Sequence, residues 1–152
     1  MKKQIKVILL ACLVLPCLLV LAACGKGSGV NLPAWTKNLP TDRMQMEAFL
    51  ESKGYTNIQP WNAHSEFTAT RTAGTKTYAL SAYYSENAEY LTGLFNTETE
   101  DWAMCKTMSK NLLALSGITK FKYTSTAMSF TFDGYDYFYA IVGNWFICEV
   151  GA

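Results

Sequence analysis

Apolar residues follow three patterns along the chain, and each pattern predicts a different kind of segment. Residues 7–23 form one apolar run that only Pro16 interrupts. The stretches 42–54 and 97–117 place apolar residues three and four positions apart, which is typical of amphipathic helices. Much of the remaining chain alternates apolar and polar residues, as half-buried strands do.

The first predicted helix begins near Asp42, because Asp42 and Gln45 have the spacing of a capping box, which satisfies free backbone N–H groups at a helix start. Its apolar stripe consists of Met46, Phe49 and Leu50. Gly54 follows the stripe and is a typical helix stop.

The second predicted helix begins near Thr97, which has the spacing of a capping box with Glu100. Its apolar stripe consists of Trp102, Cys105, Met108, Leu112 and Leu115. Gly117 is the stop that follows. The stretch 86–96 also holds apolar residues, but their pattern does not distinguish a helix from a strand.

Strands are predicted after each helix, in segments rich in aromatic residues and threonine. They cover residues 57–62, 65–72 and 76–84 in the first half, and 118–124, 127–132, 135–142 and 145–150 in the second. The predicted fold class is therefore α+β, with two helices packed on an antiparallel β-sheet.

The two halves of the pattern resemble each other. Gly54 and Gly117 lie 63 residues apart, and each separates a helix from a set of strands. Residues 42–152 are therefore predicted to be a single domain built as a tandem repeat of helix-plus-β-meander units, 42–96 and 97–152. The alternative is that any two segments with a helix and strands look similar at this level.

Two-residue turns fix the expected strand register. Asp133-Gly134 predicts a type I′ turn, which needs two positive φ angles, and Gly143-Asn144 predicts a type II′ turn. A turn at Ala73-Gly74 would pair Phe67 with Leu80 in the first half. In the second half, one apolar face is expected to pack against the helices, and it consists of Met128, Phe130, Phe132, Tyr135, Tyr137, Tyr139, Ile141, Phe146, Cys148 and Val150.

The opposite face of the last hairpins is mixed. Its large apolar members are Phe138, Val142, Trp145 and Ile147. An exposed apolar patch of this kind predicts a binding site for a protein or envelope ligand. The alternative is that another segment covers it, either the stretch 86–96 or the segment that contains Trp35.

The end of the N-terminal apolar run resembles a known signal. The sequence Leu21-Ala22-Ala23-Cys24-Gly25 resembles the lipobox of bacterial lipoproteins, in which a leucine and two small residues precede a cysteine. The resemblance implies that residues 1–23 are a cleaved signal peptide and that the Cys24 thiol carries a diacylglyceryl group. Residues 24–41 would then be a lipidated N-terminus and flexible tether, because they hold glycines, prolines and no useful periodicity.

The same resemblance implies a location. With Gly25 after the cysteine, the protein would be anchored in the outer membrane of a two-membrane bacterium, or otherwise on the external face of the cell membrane. Lys2, Lys3 and Lys6 before the apolar run agree with an export signal. The alternatives are an ordinary secretory signal with a chance cysteine and a transmembrane helix, which needs about 20 apolar residues.

Removal of residues 1–23 from the 152 would leave 129 residues, a suitable size for one domain with a real core. It would also remove three of the 13 basic side chains, which leaves 10 basic and 12 acidic side chains. The mature chain would not be basic enough to be typical of a protein that binds DNA or RNA, and no nucleic-acid partner is expected.

Cys105 and Cys148 are the cysteines that remain beside Cys24 after cleavage. Both lie on apolar faces that are predicted to meet, and an exported protein permits a disulfide between them. The alternative is a pair of buried free thiols.

No motif in the sequence predicts a metal, a cofactor or a catalytic site. His64 is the single histidine, which limits histidine-dependent chemistry, and a solvated strand position explains it. Asp133 is explained by its turn, and the acidic residues near Thr97 by the positive end of a helix dipole. We therefore expect no enzyme activity.

Three functions remain open from the sequence. The first is a membrane-anchored, non-enzymatic binding module, the second is a structural or assembly accessory of the cell envelope, and the third is a small hydrolase. At the level of the fold, the pattern is similar to tandem helix-plus-antiparallel-sheet inhibitory proteins such as the β-lactamase-inhibitory protein. That resemblance implies no site residues.

Overall fold

A computed structural model describes residues 29–30 and 32–152. The predicted signal peptide, the lipidation site Cys24 and the first residues of the predicted tether lie outside the described residues. Within those described, no helix has the length and apolar character needed to cross a membrane.

The described residues form seven strands, three α-helices and three 3₁₀-helices. The α-helices are α1 (Met46–Ser52), α2 (Ala88–Glu98) and α3 (Lys110–Leu115). The 3₁₀-helices span Ala34–Asn38, Arg43–Gln45 and Glu100–Thr107. The strands are β1 (Thr56–Trp61), β2 (Glu66–Ala73), β3 (Lys76–Tyr84), β4 (Ile118–Tyr123), β5 (Ala127–Phe132), β6 (Tyr135–Val142) and β7 (Trp145–Gly151).

The seven strands form one sheet in the order β1-β2-β3-β7-β6-β5-β4, and every neighbouring pair is antiparallel. The predicted α+β class is confirmed. Each predicted strand begins and ends within one residue of the observed one. Alternating apolar and polar residues therefore located the strands correctly.

The first predicted helix is also confirmed. The Asp42 carboxylate accepts a hydrogen bond from the Met44 backbone N–H at 2.9 Å and caps the 3₁₀ turn that leads into α1. Met46 and Leu50 are fully buried along one side of α1. Gly54 adopts φ +81°, the left-handed conformation that favours glycine at a helix end.

The second predicted helix, from Thr97 to Gly117, was wrong in its start and its continuity, because this stretch holds a 3₁₀-helix and the separate α3 before Gly117. The unassigned stretch 86–96 instead contains most of α2, whose first turn is capped by the side chain of Asn87. The chain leaves the helix at Thr99, a buried β-branched residue whose hydroxyl donates to the Phe95 carbonyl at 2.7 Å. The next α-helix, α3, begins after Ser109, whose side chain caps it.

This interruption changes which side chains are buried. In one continuous helix, Leu112 and Leu115 would share a face with Cys105. The 3₁₀-helix between α2 and α3 rotates the later residues, so that Leu113 is buried and Leu115 is 86 % exposed. The predicted stripe is therefore correct at Cys105 and wrong at Leu112 and Leu115.

The predicted register of the last hairpins is confirmed. Asp133 and Gly134 adopt φ +50° and +82°, as a type I′ turn requires. Phe130 lies opposite Tyr137, and Tyr139 lies opposite Cys148.

The turn between β2 and β3 lies one residue later than predicted. Ala73 pairs with Lys76, so the turn residues are Gly74 and Thr75, and Phe67 pairs with Ala82 rather than Leu80. The pairing has shifted by two residues, which keeps each side chain on its predicted face.

Helices cover both faces of the sheet, which the sequence did not predict. The first core packs α1 on one face, and its buried members include Met46, Leu50, Phe67, Leu80, Phe138, Trp145 and Ile147. The second core packs α2 and α3 on the other face, and its buried members include Leu91, Phe95, Cys105, Leu113, Met128, Phe130, Tyr139 and Phe146. We call these the first core and the second core.

Features of the backbone recur at the predicted offset of 63 residues. Gly54 and Gly117 both end a helix with positive φ. Asn57 and Lys120 also adopt positive φ, at +51° and +55°, and each lies in a bulge of an edge strand. These recurrences support the predicted tandem repeat.

The strand order relates the two units by a half-turn about β7. Because β3 and β6 each pair antiparallel with β7, they run parallel to each other on either side of it. A half-turn about an axis along β7 therefore places β1-β2-β3 on β4-β5-β6 and exchanges the two faces. The predicted boundary at residue 96 lies inside α2, which packs in the second core, so the second unit begins before Ala88.

Candidate functional site

The predicted binding patch is not exposed. Phe138 is 8 % exposed, Trp145 is 1 % exposed and Ile147 is fully buried, and all three belong to the first core. Val142 is partly buried against the same core. The alternative prediction, that another segment covers this face, is the one that the structure shows.

The covering segment is the N-terminal segment, which we define as residues 29–30 and 32–40, together with α1. Val30, Trp35 and Leu39 pack against the first core, and Thr36 is fully buried. The Trp145 indole N–H donates to the Pro40 carbonyl at 2.7 Å. From Val30 onward, the predicted tether is therefore part of the domain.

A buried ion pair lies beside the first core. The Glu149 carboxylate is 4 % exposed and accepts two hydrogen bonds from Arg71, at 2.8 Å and 3.1 Å. The buried Tyr55 hydroxyl donates to the same carboxylate. Removal of one partner of a buried pair typically costs about 3–5 kcal/mol, because the remaining charge is left buried without a partner.

Tyr55 and Arg71 both keep their protons near neutral pH. Burial, followed by the hydrogen bond to Glu149, raises the pKa of Tyr55 far above its ordinary value. Burial alone would lower the pKa of Arg71, but its hydrogen bonds to Glu149 and Tyr55 raise it overall. Tyr55 and Arg71 each hold one charge state and have Glu149 as a partner, which suits a structural cluster rather than acid–base catalysis.

A second ion pair crosses the same end of the sheet at its surface. The Lys76 ammonium lies 2.6 Å from the Asp136 carboxylate, which also accepts from the Thr131 hydroxyl at 2.8 Å. The hydrogen bond from Lys76 lowers the pKa of Asp136. Both side chains are about one-third exposed, so the pair contributes about 1 kcal/mol at most.

Cys105 and Cys148 are both free thiols, and both pack in the second core. The structure therefore brings them to the same interface, as predicted, but it shows the alternative of two unbonded thiols. Burial raises the pKa of the Cys148 thiol to about 12 and also raises that of Cys105. Such thiols are poor nucleophiles and poor metal ligands.

Open clefts lie on the part of the domain that the structure describes. A cleft of about 620 Å³ is lined by Asp42, Arg43, Tyr84, Ser85, Glu86 and Asn87. A smaller cleft of about 330 Å³ lies beside the end of α2, near Thr99 and Lys106. His64 does not line either of these clefts. It lies in the turn between β1 and β2, where its ring is 6.0 Å from the ring of Phe67.

Groups that could hold a metal ion are absent from the part of the chain that was described: no three histidine, cysteine, aspartate or glutamate side chains converge there. The backbone of the turn that contains His64 is strained, because Asn62, Ala63 and His64 all adopt positive φ. The expected solvated histidine is only partly exposed.

Several exposed apolar side chains lie on the second helical layer, and others, Leu32, Met44, Trp61 and Tyr135, lie elsewhere on the described residues. Met104 is 72 % exposed, Leu115 is 86 % exposed and Leu112 is half-exposed. We call these three residues the outer apolar set. They lie on the elements that pack on the second core, whereas the N-terminal segment packs on the first core across the sheet. Sequence reasoning missed this set because a continuous helix would have buried two of its members.

Comparisons with known proteins assign no relative to this chain. No protein-family model, no curated protein and no solved structure matches it.

Proposed function

We propose that the chain is a lipid-anchored, extracytoplasmic binding module of a bacterial envelope, without enzyme activity. Acylated Cys24 holds the domain at the outward side of a membrane. The layer formed by α2, the following 3₁₀-helix and α3 binds a protein partner through the outer apolar set. The exposure of Met104, Leu112 and Leu115 is the observation that carries the binding proposal.

The chemistry of the anchor supports a lasting attachment. Each buried methylene of an acyl chain contributes about 0.8 kcal/mol, and stable anchoring takes at least two chains. The lipobox-like sequence that ends at Cys24 implies a diacylglyceryl group, which supplies two chains. The domain then remains on the membrane without any membrane-spanning segment of its own.

The shape of the exposed surface favours a protein partner over a small ligand. Small ligands bind in concave, mostly apolar pockets. The outer apolar set instead projects from short helices, and the clefts near Asp42 and Thr99 are open rather than enclosed. Contiguous exposed apolar surface is typical of protein interaction sites.

Site-specific photo-crosslinking in the native cell tests the proposal. A photoreactive residue at position 115 is expected to crosslink to one envelope protein, and Leu112→Ser in the same chain is expected to reduce that crosslink about tenfold or more. The matched control is a photoreactive residue at position 44, because Met44 is also exposed, at 60 %, but belongs to the other layer.

The stability of the variants separates binding from folding. Leu112→Ser changes an exposed side chain, so its unfolding free energy should stay within about 0.5 kcal/mol of the parent protein. A crosslink that is equal at positions 115 and 44, or one that Leu112→Ser leaves unchanged, contradicts the proposal.

A further inference from the structure

The length of free chain between the lipid and the domain follows from where the N-terminal segment first contacts the core. Val30 packs on the first core, and the contacts continue through Trp35 and Leu39. Trp35 also lies edge-on to the Tyr55 ring, with 5.7 Å between ring centroids. The hydrogen bond from Trp145 to the Pro40 carbonyl closes the end of the segment.

This docking shortens the tether to a few residues. Val30 is the sixth residue after Cys24, so even a fully stretched chain between them spans about 20 Å. A free tether to Asp42 would span about 60 Å. The domain can therefore move only about one-third as far from its lipid as the sequence pattern predicted.

The reach of this short tether is small compared with the headgroup layer and the domain. Headgroups occupy about 5–8 Å on each side of a bilayer. A domain of this size has a radius of gyration of about 14 Å, and hence a diameter of roughly 35 Å. After the tether crosses the headgroups, its remaining length is less than half of that diameter, so the attached side cannot turn away from the membrane.

We infer that the domain lies directly on the phospholipid surface, with the layer of the N-terminal segment and α1 against the headgroups and the α2–α3 layer facing outward. This orientation rests on the proposed acylation of Cys24. The exposed side chains of the membrane-facing layer include the apolar Leu32 and Met44, the basic Lys37 and Arg43, and the acidic Asp42 and Glu51. An ammonium group pairs with lipid phosphate, and exposed apolar side chains suit the bilayer interface.

Fluorescence quenching by lipid-attached nitroxides tests the orientation. The lipidated protein is reconstituted in vesicles of phosphatidylcholine and phosphatidylglycerol that carry a headgroup nitroxide. A fluorophore is attached through Asn38→Cys in one variant and through Asn111→Cys in the other. Both asparagines are exposed, one on each layer, which makes them a matched pair. The unsubstituted protein measures the background from Cys105 and Cys148.

The label at position 38 is expected to be quenched at least threefold more than the label at position 111. Insertion of a 20-residue glycine–serine linker after Gly29 adds a root-mean-square reach of about 25 Å and should bring this ratio close to one. The insertion lies before the docked residues, and an unchanged melting temperature confirms that the domain still folds.

The outcomes distinguish the orientation from the anchor. Equal quenching at the two positions, in protein that stays on the vesicles, overturns the orientation and leaves the proposed anchor intact. Vesicle association that survives Cys24→Ser overturns the lipid anchor and the orientation together.

Discussion

Gly151 shows how the absence of one side chain organises the polar end of the sheet. A Cβ atom at this position would overlap the ring of Tyr78. The Arg71 guanidinium lies over that ring, 4.3 Å from its centroid. The same guanidinium is paired with Glu149. Glycine at the end of β7 therefore allows Arg71 to be stacked and paired at once, which satisfies its charge in a half-buried place.

Cys105 and Cys148 give a prediction at the scale of single residues. In the lipid-free Cys24→Ser domain, we expect both thiols to react slowly with an alkylating reagent while the protein is folded. With a pKa of about 12, roughly one in 10⁴ molecules has an ionised Cys148 at pH 8. An unperturbed thiol, with a pKa of about 8.5, is about one-quarter ionised at that pH.

The measurement is the mass of the unreduced protein after alkylation, first folded and then in denaturant. Two added groups are expected only in denaturant, and a lack of alkylation there would mean that the cysteines are bonded after all. The same shift has a consequence for stability. Because the folded pKa is raised, the stability that the thiols contribute is complete below about pH 8.5 and is lost as the pH rises toward 12.

At the scale of elements, both edge strands carry the same protective device. The bulges in β1 and β4 each contain a residue with positive φ, and β1 also holds Pro60 while β4 holds Lys122. Bulges, proline and lysine on an edge interrupt the row of unpaired backbone groups that another chain would use for pairing. The sheet is therefore protected at both of its open edges.

Replacement of the bulge residues by glycine tests their backbone strain. Lys120→Gly is expected to raise the unfolding free energy by about 0.5–1 kcal/mol, because a lysine at positive φ is strained and glycine is not. Asn57→Gly is the matched control at the equivalent position, and it should gain less, since asparagine tolerates this conformation. Urea unfolding measures both, and a loss of stability in Lys120→Gly would contradict the assignment.

At the scale of the whole molecule, the sheet separates two helical layers. The N-terminal segment and α1 cover the first core, and α2, α3 and their connecting 3₁₀-helix cover the second. The strand β7 lies at the centre and contributes Trp145 and Ile147 to one core and Phe146 to the other. Each layer therefore packs on one face of the same sheet.

Removal of the N-terminal segment tests whether it belongs to the domain. A chain that begins at Thr41 should lose about 3 kcal/mol or more of unfolding free energy relative to a chain that begins at Gly29. Partial burial of Val30, Trp35 and Leu39 is worth about 1 kcal/mol each, and the loss of the Pro40 carbonyl leaves the buried Trp145 N–H without its acceptor. Equal urea midpoints of the two chains would show that the segment is a tether only.

The sequence predicted the strands and most of their register because the signals involved are local. Alternation places Phe130 and Tyr137 on the same face of neighbouring strands, and a dipeptide such as Asp133-Gly134 determines its own turn geometry. The error at Gly74 was small for the same reason, since a shift of two residues preserves every face. The start of the first helix was likewise predicted correctly from Asp42, because its side chain caps the turn that leads into α1.

The tertiary structure alone decided what covers each face. Trp145 and Ile147 have the same sequence pattern whether they bind a partner or lie in a core, and the difference depends on a segment about a hundred residues earlier in the chain. The tertiary structure also determined where α2 ends, because Thr99 is buried. The local sequence pattern alone allowed the helix to continue. Periodicity and turns are set by neighbouring residues, whereas burial and exposure are set by contacts between residues that are distant in the chain.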